Sequence, residues 1–140
     1  MQQRLHIVTL GVHDFQRSLQ FYRDGLSWTP EDNNYEDIAF FPLGDVTLAL
    51  YPRTKLAEDA TVEPAGTGFS GITLSYKAKS KADVDAILKH VALIGGKVVK
   101  PAQDVFWGGY SGYFADPDGH LWEVAWSAAW DSEPADQTGE

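Results

Sequence analysis

The side chain with the clearest capacity for chemistry is Glu123, a carboxylate inside the apolar run LWEVAW that follows Asp116-Pro117-Asp118-Gly119. Pro and Gly preset the backbone angles of a tight reversal, so residues 113–115 and 121–126 read as the arms of a β-hairpin. Side chains alternate across a strand, which puts Trp122, Val124 and Trp126 on one face and Leu121, Glu123 and Ala125 on the other. Helices should cover the bulky face, leaving Glu123 on the inner one. A carboxylate there can hold a cation or, if desolvated, act as a general base; the plainer alternative is a carboxylate satisfied by neighbouring hydroxyls.

Other groups could line the same space. Trp107 and Tyr110 sit on the segment WGGY, whose two glycines let the backbone approach a ligand or turn sharply. Aromatics so placed can stack on a planar ligand or hold a cation, although Trp107 could equally close the core or a dimer seam. Tyr51 and Arg53, at the end of a strand, could supply a hydroxyl and a cation at a rim, and Asp104 a second negative group. The ordinary alternative for Arg53 is a surface charge. His90 and His120 read as surface residues. With no Cys, the chain has no disulfide, thiolate nucleophile or thiolate metal site.

The elements that must position these groups follow from periodicity. Residues 5–12, LHIVTLGV, alternate as a strand; Asp14 is an N-cap for a helix carrying Phe15, Leu19 and Tyr22 that stops near Gly25. Residues 35–42 and 46–51 read as strands joined at 43–45, with a third, short strand around Trp28 left open. Residues 56–68 lack periodicity and read as a linker. The pattern then restarts with a strand at 71–76. A capping box at Ser80 and Asp83 opens a helix with Val84, Ile87, Leu88, Val91 and Ile94 on one face, and residues 97–100 and the hairpin complete the second half. The plan recurs after about 64 residues, with Thr9-Leu10 matched by Thr73-Leu74. The simplest architecture is α+β, with two βαβββ modules.

Three segments in this order, IVTLGVHDFQRSLQFYRD, GFSGITLSY and GYFADPDGHLWEVAW, resemble the vicinal oxygen chelate superfamily over about residues 5–127. That superfamily includes glyoxalase I, bleomycin-resistance proteins, fosfomycin-resistance enzymes and extradiol dioxygenases. The resemblance implies a curved mixed sheet around a cavity within one domain, residues 1–130: module one at about 4–55, a linker at 56–68, module two at 69–130. It also implies a homodimer. Metal-using members take ligands from the first and last strands of each module. Here those positions fall on Ile7, on Leu48 or Ala49, on Gly71 and on Glu123. One carboxylate remains of four, whereas a zinc site wants roughly three or four protein ligands and Mg or Mn sites want several oxygen donors. His6 lies beside the first position, but a one-residue offset turns it to the opposite face, with Val8, Leu10 and Val12, unless a bulge intervenes. No metal and no other cofactor is therefore expected. Gly71, Thr73 and Ser75, like Thr9 and Gly11, are small where their alternates are bulky, which leaves room for a cavity. The WGGY element also resembles the bleomycin-resistance branch, which sequesters its ligand without metal or turnover.

Composition bounds the rest. The 140 residues suit one compact domain, and the net charge of −9, with 11 scattered Lys and Arg, argues against nucleic acid. No segment resembles a signal peptide or a membrane span, so the expected location is the cytoplasm. Residues 131–140, with four acids, read as a mobile, solubilising tail. The expected function is metal-independent binding of a small molecule, cationic or aromatic, with sequestration as one form of it. The alternative is a glyoxalase-like lyase or other enzyme using Glu123 as metal ligand or general base. A pure interaction module is the third reading.

Overall fold

The computed structural model describes residues 1–132, and these fall into two compact α+β units that divide after Gly68. All but the first two residues of the acidic tail lie outside the described part.

In the first unit, β1 (Ile7–Val12) leads into α1 (Phe15–Leu19), whose last turns widen into a π-helix at Gln20–Gly25; β2 (Ala39–Leu43), β3 (Val46–Pro52) and α2 (Arg53–Ala60) follow. The sheet order is β1-β3-β2, with β1 parallel and β2 antiparallel to β3. Asp14 caps α1 by accepting from the Arg17 amide at 3.1 Å, which satisfies one of the donors a helix start leaves unpaired. Alternation along β1 is as expected: Leu10 and Val12 are buried while Ile7 is half exposed at 52%. The buried face packs with Phe21, Tyr22, Phe41, Leu48 and Leu50, all at or near zero exposure. Each such side chain contributes about 1.5–3 kcal/mol by leaving water.

Two local expectations are corrected in this unit. No strand forms around Trp28, and β2 starts only at Ala39. The Asn33 side chain explains the delay, since it accepts from the Tyr35 amide at 2.8 Å and donates to the Ile38 carbonyl at 3.3 Å, a local turn that competes with a ladder. Trp28 is held by packing instead, its ring 5.5 Å from Tyr22 and 6.1 Å from Phe41. Secondly, the segment read as structureless from residue 56 begins inside α2. Its residues are mostly good helix formers but present only Ala57 to the interior, so there is no apolar period to read. Thr61, left-handed at φ 60°, ends it.

The second unit contains the full βαβββ plan: β4 (Thr73–Lys77), α3 (Lys81–Leu93), β5 (Lys97–Asp104), β6 (Gly109–Ala115) and β7 (Leu121–Ser127), then a 3₁₀ turn at Ala128–Ser132. The order β4-β7-β6-β5 is mixed, since β4 runs parallel to β7 and the rest antiparallel. Ser80 accepts from the Asp83 amide and Asp83 from the Lys79 amide, each at 3.0 Å, a reciprocal cap on α3. Val84, Leu88 and Val91 bury one stripe of the helix, and Trp122, Val124 and Phe114 supply the covered face of the sheet. Phe114 and Trp122, cross-strand partners, stack with centroids 6.1 Å apart.

Asp116 locks the reversal between β6 and β7. Although only 4% exposed, its carboxylate accepts from the Asp118 and His120 amides, both at 2.9 Å. Gly119 takes φ 86°, a conformation costly for any residue with a Cβ. Among the described residues no helix is long and apolar enough to cross a membrane.

Candidate functional site

Glu123 lies at the middle of β7, an interior strand flanked by β4 and β6. The register sets Ser75 opposite it on one side and Tyr113 on the other. Ser75 Oγ donates to Glu123 Oε1 at 3.1 Å. Tyr113 is half-buried, and its phenol is held above the usual tyrosine range, first by burial and then by the neighbouring Glu123 charge. It is therefore a neutral hydroxyl across the working pH range, able to donate to a ligand. The three side chains form one polar row on the face away from Trp122 and Val124.

A pocket of about 330 Å³, within the size range of small-molecule sites, is lined by Glu123 and Tyr113 of this row. Glu123, Tyr113 and Ser111 supply its polar floor, Lys100 and Asp104 stand on β5, and Phe106 and Trp107 come from the β5–β6 loop. Gly109 positions Trp107: a Cβ built there would lie 2.0 Å from the indole Cζ3, so the ring rests directly on the glycine backbone. Trp130 flanks it with a centroid separation of 5.8 Å, and Lys77 Nζ sits 4.8 Å over the Trp130 ring.

Of the residues singled out from sequence, Asp104, Trp107 and Glu123 thus line one pocket. Asp104 is also ion-paired, accepting from Lys81 Nζ at 2.9 Å. Tyr110 does not line it. A strand alternates, so with Ser111 and Tyr113 on the pocket face Tyr110 points the other way; its hydroxyl donates to Asp85 at 2.7 Å and Lys81 lies over its ring. Tyr51 and Arg53 belong to the first unit. Tyr51 stands opposite Gly11, and Arg53 Nε donates to the Pro64 carbonyl at 2.7 Å, which makes Arg53 a tie across its loop. Ser111, Tyr113, Lys100 and Phe106 were not anticipated as site residues. Parity on β6 marks the first two, but only once the extent of that strand is known.

The residues at the metal-ligand positions do not fit a metal centre. Gly71 has no side chain, Ile7 is apolar, and Leu48 is turned into the core at 1% exposure. Matching Thr9-Leu10 to Thr73-Leu74, the pairing register makes Tyr51 the first-unit counterpart of Glu123, ahead of Leu48 or Ala49. His6 is exposed, and its carbonyl accepts from the Thr47 amide at 2.8 Å. Among the described residues no three His, Cys, Asp or Glu side chains converge.

A βαβββ sheet with a pocket above its last strand is the architecture of a known class. Residues 4–124 match the family model of the Glyoxalase/Bleomycin resistance protein/Dioxygenase superfamily, and the chain belongs to that superfamily. It is 30% identical over 125 residues to the uncharacterized protein YraH of Bacillus subtilis, covering 84% of this chain and 93% of that one. Among solved structures it resembles a glyoxalase-related enzyme from Fulvimarina pelagi, with a TM-score of 0.84, 32% identity and coverage of 99% and 96% of the two chains. The hypothetical protein SA1046 of S. aureus shares the fold at a TM-score of 0.77 and 24% identity, over 89% of this chain and 94% of that one.

Proposed function

We propose that the protein binds a small planar organic ligand with cationic character, beside Glu123 and without a metal, and that it holds the ligand rather than transforming it. The observation that carries this reading is a carboxylate tethered by one hydroxyl under an aromatic wall, where among the described residues no three His, Cys, Asp or Glu side chains converge. An ammonium or amidinium at Glu123 and an aromatic ring against Trp107 would use both. The net charge of −9 favours the approach of such a ligand. The reading takes the protein as a cytoplasmic homodimer.

The test uses acriflavine, a planar aromatic cation, with metal analysis of the same protein after incubation with Zn, Ni, Mn and Fe(II) and desalting. The expected result is saturable dye binding, weakened at least tenfold in E123Q and in W107A, with no retained metal. About one metal per chain, or no saturable binding of the dye, would sink the proposal. Sedimentation velocity checks the dimer.

A second reading is favoured by the Tyr113–Glu123 pair, since a neutral phenol beside a carboxylate can give a proton at one atom while the carboxylate takes one from another. On that reading the protein is a glyoxalase-like lyase or another enzyme with Glu123 as base or as metal ligand. Turnover of the methylglyoxal–glutathione hemithioacetal that is abolished in E123Q would decide for it.

A further inference from the structure

The charges around the pocket are ordered by the sheet. Lys100 on β5, which sits between two register shifts of that strand, pairs with Tyr113 on β6, Tyr113 pairs with Glu123 on β7, and Glu123 with Ser75 on β4, so the pairings run across four strands. Lys100, Tyr113 and Glu123 all line the pocket. Adjacent strands lie ~4.8 Å apart, which sets the backbones of Lys100 and Glu123 about 9–10 Å from one another, with the Tyr113 phenol between.

The remaining pocket carboxylate, Asp104, has a cation of its own. Asp104 is bonded to Lys81, whose ammonium also lies over the Tyr110 ring, so its charge is offset from outside the pocket. Among the described residues neither Lys100 nor Glu123 forms an ion pair. Glu123 has a neutral hydroxyl donor, and Tyr113 stays protonated because burial and Glu123 both disfavour its anion. A cation at one end, an anion at the other and a neutral donor at the centre form a dipolar receptor. Both ends gain if the ligand carries the opposite dipole, while a purely cationic ligand gains at Glu123 and meets repulsion at Lys100.

We infer that the pocket is built for a zwitterionic aromatic ligand, one whose cationic group sits at Glu123 and whose carboxylate or other anion sits at Lys100, with its ring against Trp107. This rests on the binding function proposed above and narrows its ligand class.

The test is a matched series on one ring: benzamidine (cation), benzoate (anion) and 4-amidinobenzoate (zwitterion), compared by calorimetry or by ligand-observed NMR with the full chain. The expected result is that 4-amidinobenzoate binds at least tenfold tighter than either parent. K100M should erase that advantage and tighten benzamidine binding, because a repelling charge is gone. E123Q should weaken benzamidine and 4-amidinobenzoate together. K100M lies on an exposed position, so its fold is checked only by an unchanged circular dichroism spectrum. If benzamidine and acriflavine bind but the zwitterion is no better, the inference is overturned and the binding function stands. If neither cation binds, both fall. A zwitterion advantage that survives K100M also overturns the assignment of Lys100.

Discussion

Ser75 Oγ donates to Glu123 Oε1 at 3.1 Å across 48 residues of sequence, joining the first and last strands of the second unit on their open face. The bond fixes one carboxylate oxygen and thereby the direction from which a ligand can reach the group. It is solvent-accessible, so its worth is in orientation more than in stability. S75A should cost at most about 0.5–1 kcal/mol in urea unfolding, yet weaken acriflavine binding two- to fivefold. An unchanged affinity would show that Ser75 does not orient Glu123.

Gly109 seats the aromatic wall, since the Trp107 ring rests on its backbone. In G109A the new methyl would occupy the space of the Trp107 ring, and a mobile side chain yields before a strand does. The expected outcome is a near-native melting temperature with dye affinity reduced about as far as in W107A. A large loss of stability with intact binding would contradict it.

Gly112 offers the contrast. A Cβ there would come within 2.8 Å of the Lys100 carbonyl and 2.9 Å of the Ala102 nitrogen, and backbone of the neighbouring strand cannot step aside as a ring can. G112A should destabilise by about 1–3 kcal/mol, read by chemical denaturation.

Asp116 holds two amides of the hairpin from a buried position. D116A strands both donors and should cost about 2–3 kcal/mol, whereas D116N, which keeps an acceptor oxygen, should cost less. Equal losses would mean that the charge matters and the hydrogen-bonding geometry does not.

Tyr113 gives a pH signature. Its folded value lies above the unfolded one, so the folded state holds the phenolic proton more tightly. Any stability this contributes is present below the unfolded value of about 10 and is lost as the pH rises through the folded one. Absorbance titration near 295 nm should show one tyrosine ionising late that is absent in Y113F, and Y113F should flatten the alkaline fall in stability. Tyr110, raised chiefly by its bond to Asp85, gives a second late component that D85N should shift earlier.

Much of this was legible beforehand because it is local. The face of Glu123 followed from alternation, the hairpin from Asp-Pro-Asp-Gly, and the start of α3 from Ser80 and Asp83. The helix at Arg53–Ala60 escaped because it buries only Ala57 and leaves no period. Tyr110 reads as a ligand contact from its place on the glycine-rich WGGY segment. Only the actual span of β6, beginning at Gly109, reveals that Tyr110 faces Asp85 while Ser111 and Tyr113 face the pocket.

By itself, then, the sequence determined the superfamily, the βαβββ plan of the second unit and the side of the sheet on which Glu123 lies. Turn chemistry, capping and period act within a few residues and can be read in place. The tertiary structure alone decided that Ser75 and Tyr113 pair with Glu123, and Lys100 with Tyr113. Cross-strand register is set by long-range packing between segments that carry no local mark of their partner.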